Sequence, residues 1–133
     1  MGLFALIRAS IIGEPWHLPT QLANHFPDLA AVSYRRGGLA VRVGGWVLGQ
    51  RTAAAITLWN TVFLAPNTLA TAELLLHELR HVYQFEASRA FPILYLWESL
   101  RRGYSHNRFE VDARAFAEAR LSTLSSGLRR GDT

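Results

Sequence analysis

At 133 residues, half of them hydrophobic, the chain is long enough for one globular domain with a buried core, read here as residues 1–133. It contains no cysteine, which excludes disulfides and thiolate metal sites and leaves any metal to His, Asp or Glu. The net charge of +4 is carried by arginine with no lysine, and the arginines are scattered apart from Arg35-Arg36, Arg101-Arg102 and Arg129-Arg130. That is the pattern of a solvated surface, and no nucleic-acid partner is expected.

The N-terminus is apolar through Ile7, but Arg8 interrupts it before it reaches signal-peptide length. No run approaches the roughly eighteen apolar residues of a transmembrane helix, so a soluble cytoplasmic protein is the expectation. Residues 13–19 read as a loop, with Trp16 free to fold against the body. Thr20 is a plausible N-cap for a short helix over residues 21–26, stopped by Pro27. His17 and His25 have no partner at ligand spacing and are expected at the surface.

A β-rich third follows. Residues 31–35 and 39–43 alternate around the turn-forming Gly37-Gly38, and residues 46–48, 54–59 and 61–64 add further short strands. Four or five such strands with tight turns predict a small, mostly antiparallel sheet. The remainder reads as helix: residues 68–85, a short apolar helix over 93–102 ending at Gly103, and a last helix from the N-cap Asn107 to about Ser125. Residues 128–133 are expected to fray. The apolar helix is read as core in preference to membrane contact through the segment from Ile93 to Leu100.

The chemistry lies in His77-Glu78-x-x-His81. At about 100° per residue, His81 sits about 40° round the helix from His77, so both imidazoles leave one face a turn apart. Glu78 lies on the flank of that face, where it can reach a metal-bound atom without binding the metal itself. Leu75, Leu76, Leu79, Val82 and Tyr83 cover the other side and should bury the helix. Two neutral imidazoles and a third ligand would leave zinc one position open for a water that Glu78 can deprotonate. The pattern is short and depends on context, here a long helix after a β-rich run and an acid further downstream.

Glu110 is the best third ligand. It shares a stripe with the small Ala113 and Ala117, which would let two helices approach closely, whereas Asp112 points away from that stripe. Glu110 could instead close a capping box with Asn107, and His106 is the reserve ligand. Glu86 and Glu98 are poorly placed. Tyr104 and His106, just before the last helix, are the nearest donors for an oxyanion, with Tyr104 equally suited to packing. Gln84 shares the imidazole face and could orient a ligand or lie at the surface.

Taken together, Thr-Val-Phe-Leu-Ala-Pro from Thr61, the run His77-Glu78-Leu79-x-His81-Val82-x-Gln84, and Tyr104-x-x-Asn107-x-x-Glu110-x-Asp112-Ala113 resemble the minimal gluzincin-type zinc metallopeptidases. The resemblance covers rather less than half of the chain. It implies an α+β, zincin-like fold in which a small sheet precedes an active-site helix and a C-terminal ligand helix. It also implies His77, His81 and Glu110 as zinc ligands and Glu78 as catalytic base. A peptide or unfolded-protein substrate would pair with a sheet edge, for which Thr61–Leu64 is the nominee.

Two departures stand out: Arg108 replaces the family's proline, and Arg114 occupies the position where many gluzincins place an aspartate that steadies a zinc-bound histidine. Loss of such a carboxylate weakens metal binding roughly 10–100-fold unless another group holds the ring. The alternative to a peptidase is therefore a non-catalytic module in which zinc staples the helices around a peptide- or protein-binding cleft.

Overall fold

A computed structural model describes residues 2–47 and 54–131. The elements run α1 (Leu3–Ile12), β1 (Glu14–Pro15), α2 (Thr20–His25), a 3-10 turn (Pro27–Ala31), β2 (Ser33–Arg36), α3 (Leu39–Val47), β3 (Ala55–Leu58), β4 (Thr61–Leu64), α4 (Ala72–Ala87), α5 (Phe91–Arg102) and α6 (Arg108–Arg130). The class is α+β, with the helices that carry the candidate site following the sheet.

The four strands lie in the order β1-β2-β4-β3. The outer pairings, β1 with β2 and β3 with β4, are antiparallel, and the central pairing of β2 with β4 is parallel. A parallel pair needs a crossover of a dozen or more residues, and α3 lies inside it. The strand expected over residues 39–43 is therefore a helix. Gly37 and Gly38 both take positive φ (76° and 99°), and the chain leaves them into α3 instead of doubling back as a hairpin. In a strand Leu39, Val41 and Val43 would share one face and be buried together, but only Val41 of the three is buried, while Leu39 and Val43 are exposed. Gly44 lets α3 lie close on the sheet, since a Cβ there would overlap the Ile56 side chain. The strand expected over residues 46–48 is replaced by the end of α3, and Leu48 is outside the described residues.

The order of strands also moves the sheet edge. Thr61–Leu64 is bonded on both sides, by β2 and β3, and cannot accept a further strand. Among the described residues the outer strand on that side is β3, Ala55–Leu58.

Helix boundaries differ from expectation in α2, α4, α5 and α6, with α5 beginning two residues early at Phe91. Thr20 is the first residue of α2, behind Pro19, and its side chain makes no cap bond. α4 begins behind Thr71, whose Oγ1 accepts from the Leu74 amide at 3.2 Å, because residues 68–71 are held in turns by backbone bonds. α6 continues past residue 125 to Arg130.

The core forms where α4 is sandwiched between the sheet and α6. Leu75, Leu76, Leu79 and Val82 of α4 meet Val62 and Leu64 of the sheet and Leu29 of the 3-10 turn, all essentially solvent-free. On the other flank, Ala113 and Ala117 are 0 % and 1 % exposed, and this small-residue stripe brings α6 against α4. Trp16 folds back on Tyr34, ring centroids 5.6 Å apart. α5 is an outer element. Phe91 and Glu98 are buried, but Ile93, Leu96, Trp97 and Leu100 face outward, so its apolar surface is not core as expected.

Candidate metal centre

α4 presents His77, His81 and Gln84 along one face, at i, i+4 and i+7. α6 presents Glu110 from its first turn opposite them. The Glu110 carboxylate lies with Oε2 2.9 Å from His77 Nε2 and Oε1 3.1 Å from His81 Nε2, and the two Nε2 atoms are 3.2 Å apart. Metal–ligand bonds of about 2.0–2.2 Å in a tetrahedron place neighbouring ligand atoms about 3.4 Å apart. These spacings, each histidine to its own Glu110 oxygen and the two histidines to each other, are a few tenths of an ångström tighter than those of a zinc coordination face. The donor set, two imidazoles and a carboxylate, is of the kind that holds zinc after that small expansion.

A carboxylate oxygen of Glu78 is within 4.8 Å of the imidazole ligand atoms, close enough to act on a group at the metal position and on the flank that the helix geometry predicts. The other anchor of Glu78 is Thr57 of β3, whose Oγ1 donates to Glu78 Oε2 at 2.6 Å; the same hydroxyl lies 3.3 Å from the Glu78 carbonyl oxygen. Both side chains are buried.

Glu110 does not close a capping box. Asn107 caps α6 alone, its Oδ1 accepting from the Phe109 amide at 2.9 Å, and its Nδ2 donates to the Tyr95 carbonyl and Ser99 Oγ, tying α5 to the start of α6. Both Glu110 oxygens face the histidines, and Oε1 also accepts from Tyr95 Oη at 2.6 Å.

The electrostatics follow from this packing. Burial disfavours ionised Glu110, but hydrogen bonds from His77 and His81, with Tyr95 adding to them, hold it far below the usual carboxylate range. Burial likewise opposes charge on His81, and is outweighed by its bond to Glu110 and the charges of Glu78 and Glu110, which lift it to about 9. Burial and the neighbouring Glu110 carboxylate raise both Tyr95 and Tyr104, so each keeps its proton as a donor.

His81 is oriented from behind. Its Nδ1–H donates to Gln84 Oε1 at 2.7 Å, and Gln84 Nε2 donates to Asp112 Oδ2 at 2.9 Å and to the Phe109 carbonyl at 3.1 Å. Arg80 closes the chain on Asp112 at 2.7 Å. Arg114 faces elsewhere, donating to the Ser105 carbonyl. The ring-holding task left open by Arg114 is therefore met by Gln84 and Asp112.

His77, Glu78, His81 and Glu110 line a cleft of about 600 Å³ whose walls include β3, Leu74, Phe85, Phe91, Tyr95, Leu96 and Tyr104. His106 is exposed and does not line it, so neither the reserve-ligand nor the oxyanion-donor expectation has a geometry behind it. Glu86 is exposed, and Glu98 is buried beside Arg102 and Arg108. Sequence reading missed Thr57 and Tyr95. Thr57 sits at a strand position that any β-branched residue fills, and Tyr95 lies in a helix whose apolar run concealed it; only the partner across the fold marks either.

The fold and this His77–Glu78–His81 cluster define an α+β domain with a possible metal-binding His/Glu site. The family model of the eCIS core domain matches residues 20–89, more than half of the chain. The chain belongs to that family, whose name refers to the core of extracellular contractile injection systems. The matched span includes α4 with both histidines and stops short of Glu110. Comparisons with curated proteins and with solved structures gave no match.

Proposed function

We propose that the chain is a zinc-dependent peptidase. The observation that carries this reading is the convergence of His77, His81 and Glu110, with the two Nε2 atoms 3.2 Å apart and each within 2.9–3.1 Å of a Glu110 oxygen, at the wall of a cleft bordered by β3. The family includes members associated with zincin-like peptidases, which supports it. His77, His81 and Glu110 would hold the ion, which when bound supplies Lewis acidity to a peptide carbonyl and to a water.

An extended peptide would add to the outer edge of β3, Ala55–Leu58, through main-chain hydrogen bonds. Glu78 accepts the proton of the attacking water as its oxygen bonds to the carbonyl carbon, then delivers that proton to the amide nitrogen as the C–N bond breaks. Tyr95 and Tyr104, both protonated and both beside Glu110, are the hydroxyls able to donate to the oxygen that gains charge.

Metal analysis of purified wild type beside His77→Ala and Glu110→Ala tests the ligand set: about one zinc per wild-type chain and little in either variant is the expected outcome. Glu78→Gln should retain the zinc and lose hydrolysis of an unfolded protein substrate. Undiminished cleavage by that variant would remove Glu78 as the base.

A second reading, a metal-stapled binding module, is favoured by one observation: Ile93, Leu96, Trp97 and Leu100 form an i, i+3, i+4, i+7 stripe that is exposed beside the cleft. A wild type that binds zinc and unfolds without it, yet cleaves nothing, would select this reading.

A further inference from the structure

Thr57 occupies a buried position of β3, paired in register with Val62 of β4. Valine has the same shape and would fill this position of the sheet equally well. The hydroxyl of a threonine only 8 % exposed must instead find a partner, and its short bond is to the Glu78 carboxylate at 2.6 Å. One Glu78 oxygen is thereby fixed from the sheet side, while the carboxylate as a whole remains within 4.8 Å of the imidazole ligand atoms. The strand that supplies the hydroxyl is also, among the described residues, an outer strand of the sheet and a wall of the cleft.

We infer that Thr57 is a positioning residue for the base: it holds Glu78 in the rotamer that leaves the second carboxylate oxygen directed at the attacking water, and it does so from the strand along which the substrate lies. Docking of a peptide on β3 and alignment of the base are consequently one event, because any shift of the strand carries the Thr57 hydroxyl with it. This assignment rests on the peptidase reading.

The test uses the zinc-loaded full chain with Thr57→Val and Thr57→Ser. Thr57→Val should lower kcat about 10- to 100-fold, the range seen when a supporting hydrogen bond of a metal site is removed. KM for an unfolded protein substrate and zinc affinity, measured by chelator competition, should stay at wild-type values. Thr57→Ser should recover most of the lost kcat. By proton NMR the wild type should show a slowly exchanging, downfield Thr57 hydroxyl proton that disappears in Glu78→Ala.

Wild-type kcat in Thr57→Val, a serine variant no better than the valine one, or a parallel fall in zinc affinity would each overturn the assignment, the last by making the role structural. An inactive wild type would sink the peptidase reading and this one together. An active wild type beside an equally active Thr57→Val would sink this one alone.

Discussion

At His81 the imidazole is held by a carboxamide instead of the more usual carboxylate. Gln84 can serve because its two ends are distinguished by their partners: Nε2 has two oxygen acceptors, Asp112 and the Phe109 carbonyl, which leaves Oε1 to take the Nδ1–H of His81. With Nδ1–H fixed by that polarity, a metal that displaces the Nε2 proton shared with Glu110 would meet the Nε2 lone pair. Asp112, pointing away from the Glu110 stripe, acts through this amide and not as a ligand. Gln84→Leu keeps much of the bulk and loses both bonds, so zinc affinity should fall about 10–100-fold with little loss of helix content; chelator competition reads the first and circular dichroism the second. Asp112→Asn should have a smaller effect in the same direction, since the Phe109 carbonyl still orients the amide. Equal zinc affinity in wild type and Gln84→Leu would mean that the ring is held by packing alone.

Among the elements, α4 and α6 are joined at both ends of their contact by polar groups. Near the site the link is Gln84–Asp112–Arg80, and at the far end Arg120 of α6 grips Asp28 of the 3-10 turn with two bonds of 2.7 and 2.9 Å while Tyr83 of α4 donates to the same carboxylate. The Arg120 bonds, assisted by Tyr83, hold the Asp28 carboxyl below the usual carboxylate range despite partial burial. A depressed carboxylate contributes stability above its unfolded value, near pH 4, and loses it as pH falls through the lower folded value. Asp28→Asn should therefore lower stability by about 1 kcal/mol at pH 7, and the gap from wild type should close below about pH 4, as urea midpoints across that range will show. This contact was invisible in the sequence, where Asp28 and Arg120 are far apart and neither belongs to a motif. The helix faces were legible: the 3.6-residue period of α4 and the Glu110-Ala113-Ala117 stripe of α6 each bury the side that the spacing selects. α3 was not, because Leu39-Ala40-Val41-Arg42-Val43 is too short and too uniformly apolar for its period to separate strand from helix. What decided it was the parallel β2–β4 pairing, a long-range constraint that also turned Thr61–Leu64 from an edge into an interior strand.

For the molecule as a whole, the cluster joins two elements already packed in the core, α4 and α6, to the outer helix α5. His77 and His81 come from α4, Glu110 from α6, and Tyr95 brings α5 in through its bond to Glu110, whereas the apolar side of α5 remains largely exposed. Any ion bound by these ligands in the folded chain but not in the unfolded one stabilises the fold by mass action, by about 2.7 kcal/mol when free metal is a hundred times its Kd. For a domain of this size that corresponds to a rise in Tm of roughly 10 °C. The increment should be present in Glu78→Gln, which keeps all three ligands, and absent in Glu110→Ala, which loses the only ligand from α6. Glu110→Ala should also lower the Tm of the metal-free protein, because the buried His81 and the partly buried His77 lose the carboxylate that faces them at 3.1 and 2.9 Å. Thermal melts of the three proteins with excess zinc and with a chelator separate the two contributions. A wild type whose Tm ignores zinc would mean that the ligands do not close on the ion, and both the hydrolytic and the stapled-module readings would fall with it.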